Sequence, residues 1–361
     1  METYALPKPI DWVYLLDNIR DEKCLLILGP EVYADLLGEP IQQKLLKNLD
    51  ILHNPFVRRY YSEEDFYFFE HKSHRTQFCH QLKNFYRQEE PGDLIGLLSE
   101  IPFHIYLTVT PDLLLPEIFK RKTFSFQHGF YKKNTDPQPI VKPSAEMPLI
   151  YNLLGCIESA ESLVLSHNDL YDFFKSIFAR RSMPGELKDE LRDVRNLLFL
   201  GVPFDKWYLQ ILLREFEIHT QQYDFARFAA NQNPSLELCT LCLDQFQIQF
   251  IDKNVGEFVR ELHKRVKADN SISLRTSSGP LANSNHAVRQ KLTDGDIEGA
   301  LENLLKIQSN PEWTNEVVLL HGRYNRLKSR QTAGMIGSGD SLLEENNISH
   351  SIIELLKKSV A

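Results

Sequence analysis

The residues best suited to chemistry follow short apolar runs. They are Gly29 after CLLIL, Thr108, Thr110 and Asp112 in LTVTPDLLL, Gly155 after LIYNLL, and Gly201 and Asp205 in FLGVPFDKWYL. A glycine at such a point lets a ligand approach the backbone closely. A threonine hydroxyl holds a water, and an aspartate accepts hydrogen bonds. Leu154, one residue before Gly155, can neither accept a proton nor polarise a hydroxyl. Gly29 is followed by Pro30, which has no backbone N–H to offer, and by Glu31, which brings a negative charge.

Other candidates have simpler explanations. His104, His128 and His167 stand alone on strand-like or loop segments, and a lone histidine there reads as a surface or satisfied residue. Cys239 and Cys242 have the spacing of half a zinc site, but no second pair accompanies them and CTLC sits in a run of helical spacing. A structural zinc needs a full tetrahedral ligand set, so the pair reads as helix-borne core thiols. Asp169 and Asp172 share one side of a helix, and a solvated helix start near the N-terminal dipole accounts for both.

These residues need a framework that brings strand ends together. Lys23–Gly29, His104–Val109, Ile150–Gly155 and Asn196–Val202 are apolar runs bounded by breakers, as buried parallel strands are. SLVLS (Ser162–Ser166) and IQFID read as further strands. Helices are expected near Ile10–Arg20, Asp169–Ala179 with Asn168 as N-cap, Ser235–Phe246 and Val255–Lys267. Another follows Asp205, with Trp207, Ile211, Leu212 and Phe216 along one side. Strands alternating with helices predict an α/β, Rossmann-like parallel sheet that binds ligands at its carboxyl edge. Between about 40 and 100, Phe66, Phe69, Phe78 and Phe85 recur at loosely helical intervals, predicting a helical insertion whose aromatic residues are core.

The expected boundaries are 1–268 for the Rossmann-like domain, 269–285 for a Ser-, Asn- and Gly-rich linker, and 286–361 for a small all-α helical bundle. In the last part Val288 and Leu292 begin one helix. Ile297, Leu301, Leu304 and Leu305, then Val317, Leu320, Tyr324 and Leu327, then Ile348, Ile352, Leu355 and Leu356 mark the others at amphipathic spacing.

Over roughly Asp11–Lys267 the chain resembles the sirtuin-like (SIR2-like) proteins of prokaryotic conflict and antiphage systems. The resemblance is carried by LLFLGVPFDKWYLQILLREF and by LIYNLLGCIESAESLVLSHNDLYDFF. It implies NAD as a cofactor, or a related nucleotide, with cofactor contacts from Gly29, Thr108, Asp112, Gly155, Gly201 and Asp205. The catalytic Asn and His of active relatives fall on Thr110 and Leu154 here, while the family's Asp is kept as Asp112. Glycosidic cleavage of NAD passes through an oxocarbenium-like state that needs polar groups at those places. LGPEVY departs from the small-residue phosphate loop as well.

Over roughly His286–Val360 the chain resembles an effector-associated domain, through GDIEGALENLLKI, NEVVLLHGRYNRLKSR, TAGMIGSGD and ISHSIIELLKK. Its most distinctive piece is Leu319, Leu320, Arg323, Tyr324 and Asn325. Such domains work as death-fold adaptors do, so the resemblance implies a protein partner with a matching domain, met through Arg323, Tyr324 and Arg326. Arg323, Arg326, Lys328 and Arg330 face an acidic complement in Glu298, Glu302, Glu344 and Glu345. Pairing with a copy of the same domain and an ordinary solvated surface both fit that pattern.

Composition narrows the class. The chain has 361 residues, 42% hydrophobic, enough for a full core and a smaller second domain. A net charge of -8 disfavours direct nucleic-acid binding as the main role. No run approaches the roughly 20 apolar residues of a membrane helix. Five irregularly spaced cysteines suit reduced thiols, and a cytoplasmic location is expected. The combined expectation is an antiviral-defence component. Its degenerate sirtuin-like domain acts as an oligomeric scaffold or nucleotide sensor, and its adaptor domain recruits a partner. The alternative is an active NAD hydrolase that depletes NAD in abortive infection.

Overall fold

The computed structural model describes residues 10–33, 39–133, 135–179, 183–215, 226–276, 288, 291–292, 295–305 and 311–358. The chain divides into two compact units, Met1–Lys122 with Phe126–Thr276, and Ser277–Ala361 with Thr123–Ser125.

In the first unit, CLLIL (Cys24–Leu28) is buried at every position, which a strand achieves with neighbours on both edges and helices on both faces. It is β1, preceded by α1 (Trp12–Arg20) and followed by the 3-10 turn Pro30–Tyr33 and α2 (Ile41–Asn48). The hairpin β2 (Arg59–Tyr61) and β3 (Phe66–Phe68) precedes α3 (Lys72–Gln88) and α4 (Asp93–Glu100). Then come β4 (Ile105–Thr108), α5 (Leu114–Arg121), β5 (Gln127–Phe130), β6 (Leu149–Asn152), α6 (His167–Phe178) and α7 (Gly185–Asp193). The unit continues through β7 (Asn196–Leu200), α8 (Trp207–Glu215), β8 (Ala226–Ala230), α9 (Leu236–Phe246), β9 (Ile248–Phe250) and α10 (Val255–Ala268).

Seven strands form one sheet in the order β5-β6-β4-β1-β7-β8-β9, every pair parallel. The predicted Rossmann-like α/β fold is present. Leu200, Leu28, Thr108, Asn152 and Phe130 are in register across five strands. They form the carboxyl edge. Connections run from β1 toward β4 and from β7 toward β8, so the winding reverses there, where open sheets bind ligands.

Several expectations need correction. SLVLS is not a strand: Leu165 O accepts from the Tyr67 N–H at 2.8 Å, fastening the segment to the hairpin instead of the sheet. The insertion is not wholly helical, since Phe66 belongs to that hairpin; Phe66, Phe78 and Phe85 are nonetheless core. The N-cap of α6 is Ser166, not Asn168, its Oγ accepting from the Asp169 N–H at 3.1 Å. On α8 the buried side is Tyr208, Leu209, Leu212 and Leu213, with Trp207 46% exposed. Phe216 and residues 277–285 lie outside the described residues. Helix α9 does carry the cysteines, Cys242 buried and Cys239 half-buried, both without a disulfide.

The second unit contains α11 (Ile297–Leu305), α12 (Pro311–Thr332) and α13 (Ser338–Lys358). Their apolar stripes meet in a core of Leu301, Leu304, Val317, Tyr324, Leu327, Ile348, Ile352 and Leu356. Trp313 joins it and donates through Nε1 to Leu355 O at 3.2 Å. No helix among the described residues is long and apolar enough to cross a membrane.

Candidate functional site

A cavity of about 140 Å³ opens at the carboxyl edge, beyond the ends of β1, β4, β6 and β7. Pro30, Thr110, Leu154 and Pro203 reach it from those strand ends, and Phe66 and Tyr67 from the hairpin. Its polar lining includes Gln42 and Asp65. Ligand pockets usually run to roughly 300–1,000 Å³. This one is small because Leu154 and the hairpin aromatics fill it.

The strand-end glycines are required by backbone crossings. A Cβ on Gly29 would stand 2.1 Å from Gly201 O, and one on Gly201, at φ +63°, would stand 2.6 Å from the Glu31 Cβ. Gly155, at φ +89°, is likewise pressed against Ser162 O. These glycines let the loops cross where the strands end. Glu31 turns from the small cavity to a larger one of about 520 Å³, lined also by Tyr33, Lys44, Asn254 and Arg260. There its Oε2 accepts from the Gln232 N–H at 2.8 Å, and burial pushes its carboxyl above the usual range.

The β4 exit is closed in on itself. The hydroxyls of Thr108 and Thr110 lie 2.7 Å apart in a mutual hydrogen bond, and the Thr110 N–H donates to Thr108 Oγ1 at 3.2 Å. Asp112 is 2% exposed; its Oδ1 accepts from the Leu114 N–H at 2.9 Å, at the start of α5. Burial raises its carboxyl above the ordinary value. Asp112 does not line the cavity, whereas Thr110 and Leu154 do. Asp205 is exposed at the turn before α8.

Asn152 is a working residue that the motif reading passed over. Fully buried at the end of β6, it donates through Nδ2 to Thr110 O at 2.8 Å and Asp112 O at 3.0 Å. Its Oδ1 meets His128 Nε2 at 2.8 Å, so His128 is a satisfied residue, and burial lowers its pKa. An amide two residues before Leu154, in an otherwise apolar strand, was the available signal. Lys206 was also missed. It is 8% exposed, 3.1 Å from Asp65 Oδ2, and donates to Glu63 O, tying the hairpin to the start of α8.

The remaining histidines lie apart from this chemistry. His104 is buried just before β4, at the opposite edge, where burial pushes its imidazole down to about 4. His167 packs edge-on to Phe66 with ring centroids 5.1 Å apart. Asp169 is not the solvated residue expected: Arg75 Nη2 lies 3.1 Å and Lys133 Nζ 2.8 Å from its Oδ1, and burial spares it only 9% exposure. Asp172 is exposed. No group of three or more His, Cys, Asp or Glu among the described residues could hold a metal.

Residues 104–251 match the family described as SIR2-like domain. The chain carries a SIR2-like domain. The matched part spans β4 to β9 and includes Thr110, Asp112 and Leu154; β1 and the insertion precede it. Residues 284–358 match Effector-associated domain 11. Searching curated proteins gives no match.

Within the effector-associated unit, Tyr324 is 5% exposed and belongs to the core. Lys328 Nζ stands 5.6 Å from its ring centroid. Arg323 and Arg326 are exposed, with Arg323 Nε 3.5 Å from Glu344 Oε1. Gln331 donates to Glu345 at 2.8 Å. Part of the charge pattern is thus used within the unit.

Proposed function

We propose that the SIR2-like unit works as a scaffold or nucleotide sensor without cleaving NAD, and that the effector-associated unit recruits a protein carrying a matching domain. The pairing of these two domains fits a component of an antiphage or conflict system. The scaffold reading rests on one observation: Thr110 and Leu154 line the cavity, the carboxyl that lines it, Asp65, is tied to Lys206, Gln42 and Tyr60, and Asp112 is turned inward to the start of α5.

Breaking a glycosidic bond requires a group that positions water or ribose and another that takes or gives a proton. Leu154 offers neither, and the Thr110 hydroxyl is engaged with Thr108. A cavity of about 140 Å³ also leaves little room for a dinucleotide. The one group of its lining suited to stabilise developing positive charge, Asp65, is already neutralised by Lys206 at 3.1 Å. What the sheet, the glycine crossings and Asn152 preserve is shape.

The test is direct. Full-length protein incubated with NAD is expected to consume it no faster than buffer, by chromatography of the products. Consumption that disappears in Thr110→Ala or Asp112→Ala would refute the reading. A scaffold and a sensor differ in melting temperature with NAD or ADP-ribose, since a ligand of the folded state raises it.

A further inference from the structure

Helix α6 buries Leu170, Phe173, Ser176 and Ile177 and turns another face to solvent. On that outer face Tyr171 is 69% and Phe178 59% exposed. Phe174, between them, stacks on Phe178 with ring centroids 5.7 Å apart and planes at 11°. Trp207 of α8, 46% exposed, stands 6.3 Å from Phe174 and extends the patch across two helices. Other large exposed apolar residues of this unit, such as Val13, Leu52, Val141 and Leu236, come from separate elements. Contiguous aromatic surface of this kind marks an interaction site, because leaving it in water forfeits its burial energy.

The charges beside the patch select the partner. Asp172 and Lys175 are both exposed on α6, and among the described residues no hydrogen bond or ion pair joins them to another side chain. Three residues apart, they lie on the aromatic face and have opposite sign. If a second α6 lies antiparallel across a twofold axis near residues 173–174, each Asp172 meets the Lys175 of the other copy. Phe174 then meets its own counterpart near the axis, with Tyr171 and Phe178 flanking it along the two helices. A twofold interface must be self-complementary in this way, with residue i meeting j and j meeting i. A partner of uniform charge would satisfy only one of the pair.

We infer that α6 and Trp207 form an isologous interface through which the SIR2-like unit pairs with a second copy of this chain. The assignment deepens the scaffold reading and rests on it for its purpose. Its test reads mass, not NAD, so failure here leaves the cavity argument standing.

The experiment is sedimentation velocity and light scattering on the full-length protein over a concentration series. Wild type is expected at the mass of an even number of chains. Phe178→Glu and Trp207→Ala should each raise the dissociation constant of the pair roughly 30-fold or more, as hot-spot aromatics do. Asp172→Lys and Lys175→Asp should each weaken pairing, and the two together should restore it, because the double variant rebuilds the cross-axis ion pairs in reverse. Far-UV circular dichroism and melting temperature show that each variant is folded. A monomeric wild type, pairing unchanged by folded Trp207→Ala and Phe178→Glu, or a double charge variant as weak as the singles would each overturn the interface.

Discussion

Asp112 at the β4 exit and Asp169 at the start of α6 are both buried carboxyl groups in the same unit, and their surroundings are opposite. Asp169 receives Arg75 Nε and Nη2, Lys133 Nζ and the Ser166 hydroxyl, all within 3.2 Å. Burial opposes ionisation, but the two cations outweigh it and hold the group below its ordinary range. Among the described residues Asp112 has no cation partner, and burial pushes its pKa upward. The charged tie is structural, joining α3, the segment after β5 and α6. Asp112 is turned inward and disfavoured as an anion. Residue type alone thus says little about chemistry until its neighbours are known.

The largest effect should come from cutting the charged tie. Asp169→Ala leaves Arg75 and Lys133 partly buried around an absent anion, and removing one member of such a cluster costs about 3 kcal/mol. Urea unfolding followed by circular dichroism should show this loss at neutral pH. The sign with pH is fixed by the lowered pKa: the contribution is present above the ordinary carboxylate range and disappears as pH falls through the folded value. Wild type and variant should therefore converge in strong acid. A loss below about 1 kcal/mol at neutral pH would break the contrast, because Asp169 would then resemble an exposed pair.

The elements that could be read from sequence are those whose signal is local. Cys24–Leu28 and Asn196–Leu200 are apolar at nearly every residue because both faces of the strand are covered. Gln127–Phe130 and Ala226–Ala230 carry no such run. The first is an edge strand whose Gly129 makes room for the Tyr151 ring, and the second brings Arg227 into the sheet, where it donates to Phe246 O at 2.7 Å. The hairpin was hidden because its aromatic residues happen to continue the spacing of α3. The limited chemistry of Thr110 and Leu154 was legible as residue type, and their place in the lining of the cavity only in the fold. Asp169 was not, since Arg75 lies 94 residues away and only the folded chain brings it there. Tyr324 illustrates the same limit: its family pattern was visible, but its place in a core rather than on a surface was not.

A smaller effect is expected at Asp112. Its raised pKa means that folding favours the protonated form, so its contribution is greatest below the ordinary carboxylate range and declines as pH rises through the folded value. Asp112→Asn keeps an oxygen for the Leu114 N–H and removes the titration. Its stability at neutral pH should lie within about 1 kcal/mol of wild type, since one neutral acceptor replaces another. Its stability profile from the ordinary carboxylate range upward should be flatter than that of wild type, as expected when a buried titrating group is removed. A steep loss at neutral pH would mean that the Asp112 charge supports the fold, as the Asp169 charge does.

The smallest effect should follow from refilling the positions that drew attention first. Thr110→Asn with Leu154→His supplies the residue types that the resemblance implies for active relatives, yet it leaves Asp112 bound to the Leu114 N–H and Glu31 bound to the Gln232 N–H. It also replaces one cavity-lining side chain by another of similar bulk, so the space for ligand does not grow. Catalysis depends on groups held at the reacting atoms in a closed geometry, and supplying the groups without the geometry yields little. NAD consumption by the folded double variant should therefore equal that of wild type. If turnover appeared, the loss would lie in those side chains alone, and the inward turn of Asp112 would have no bearing on activity.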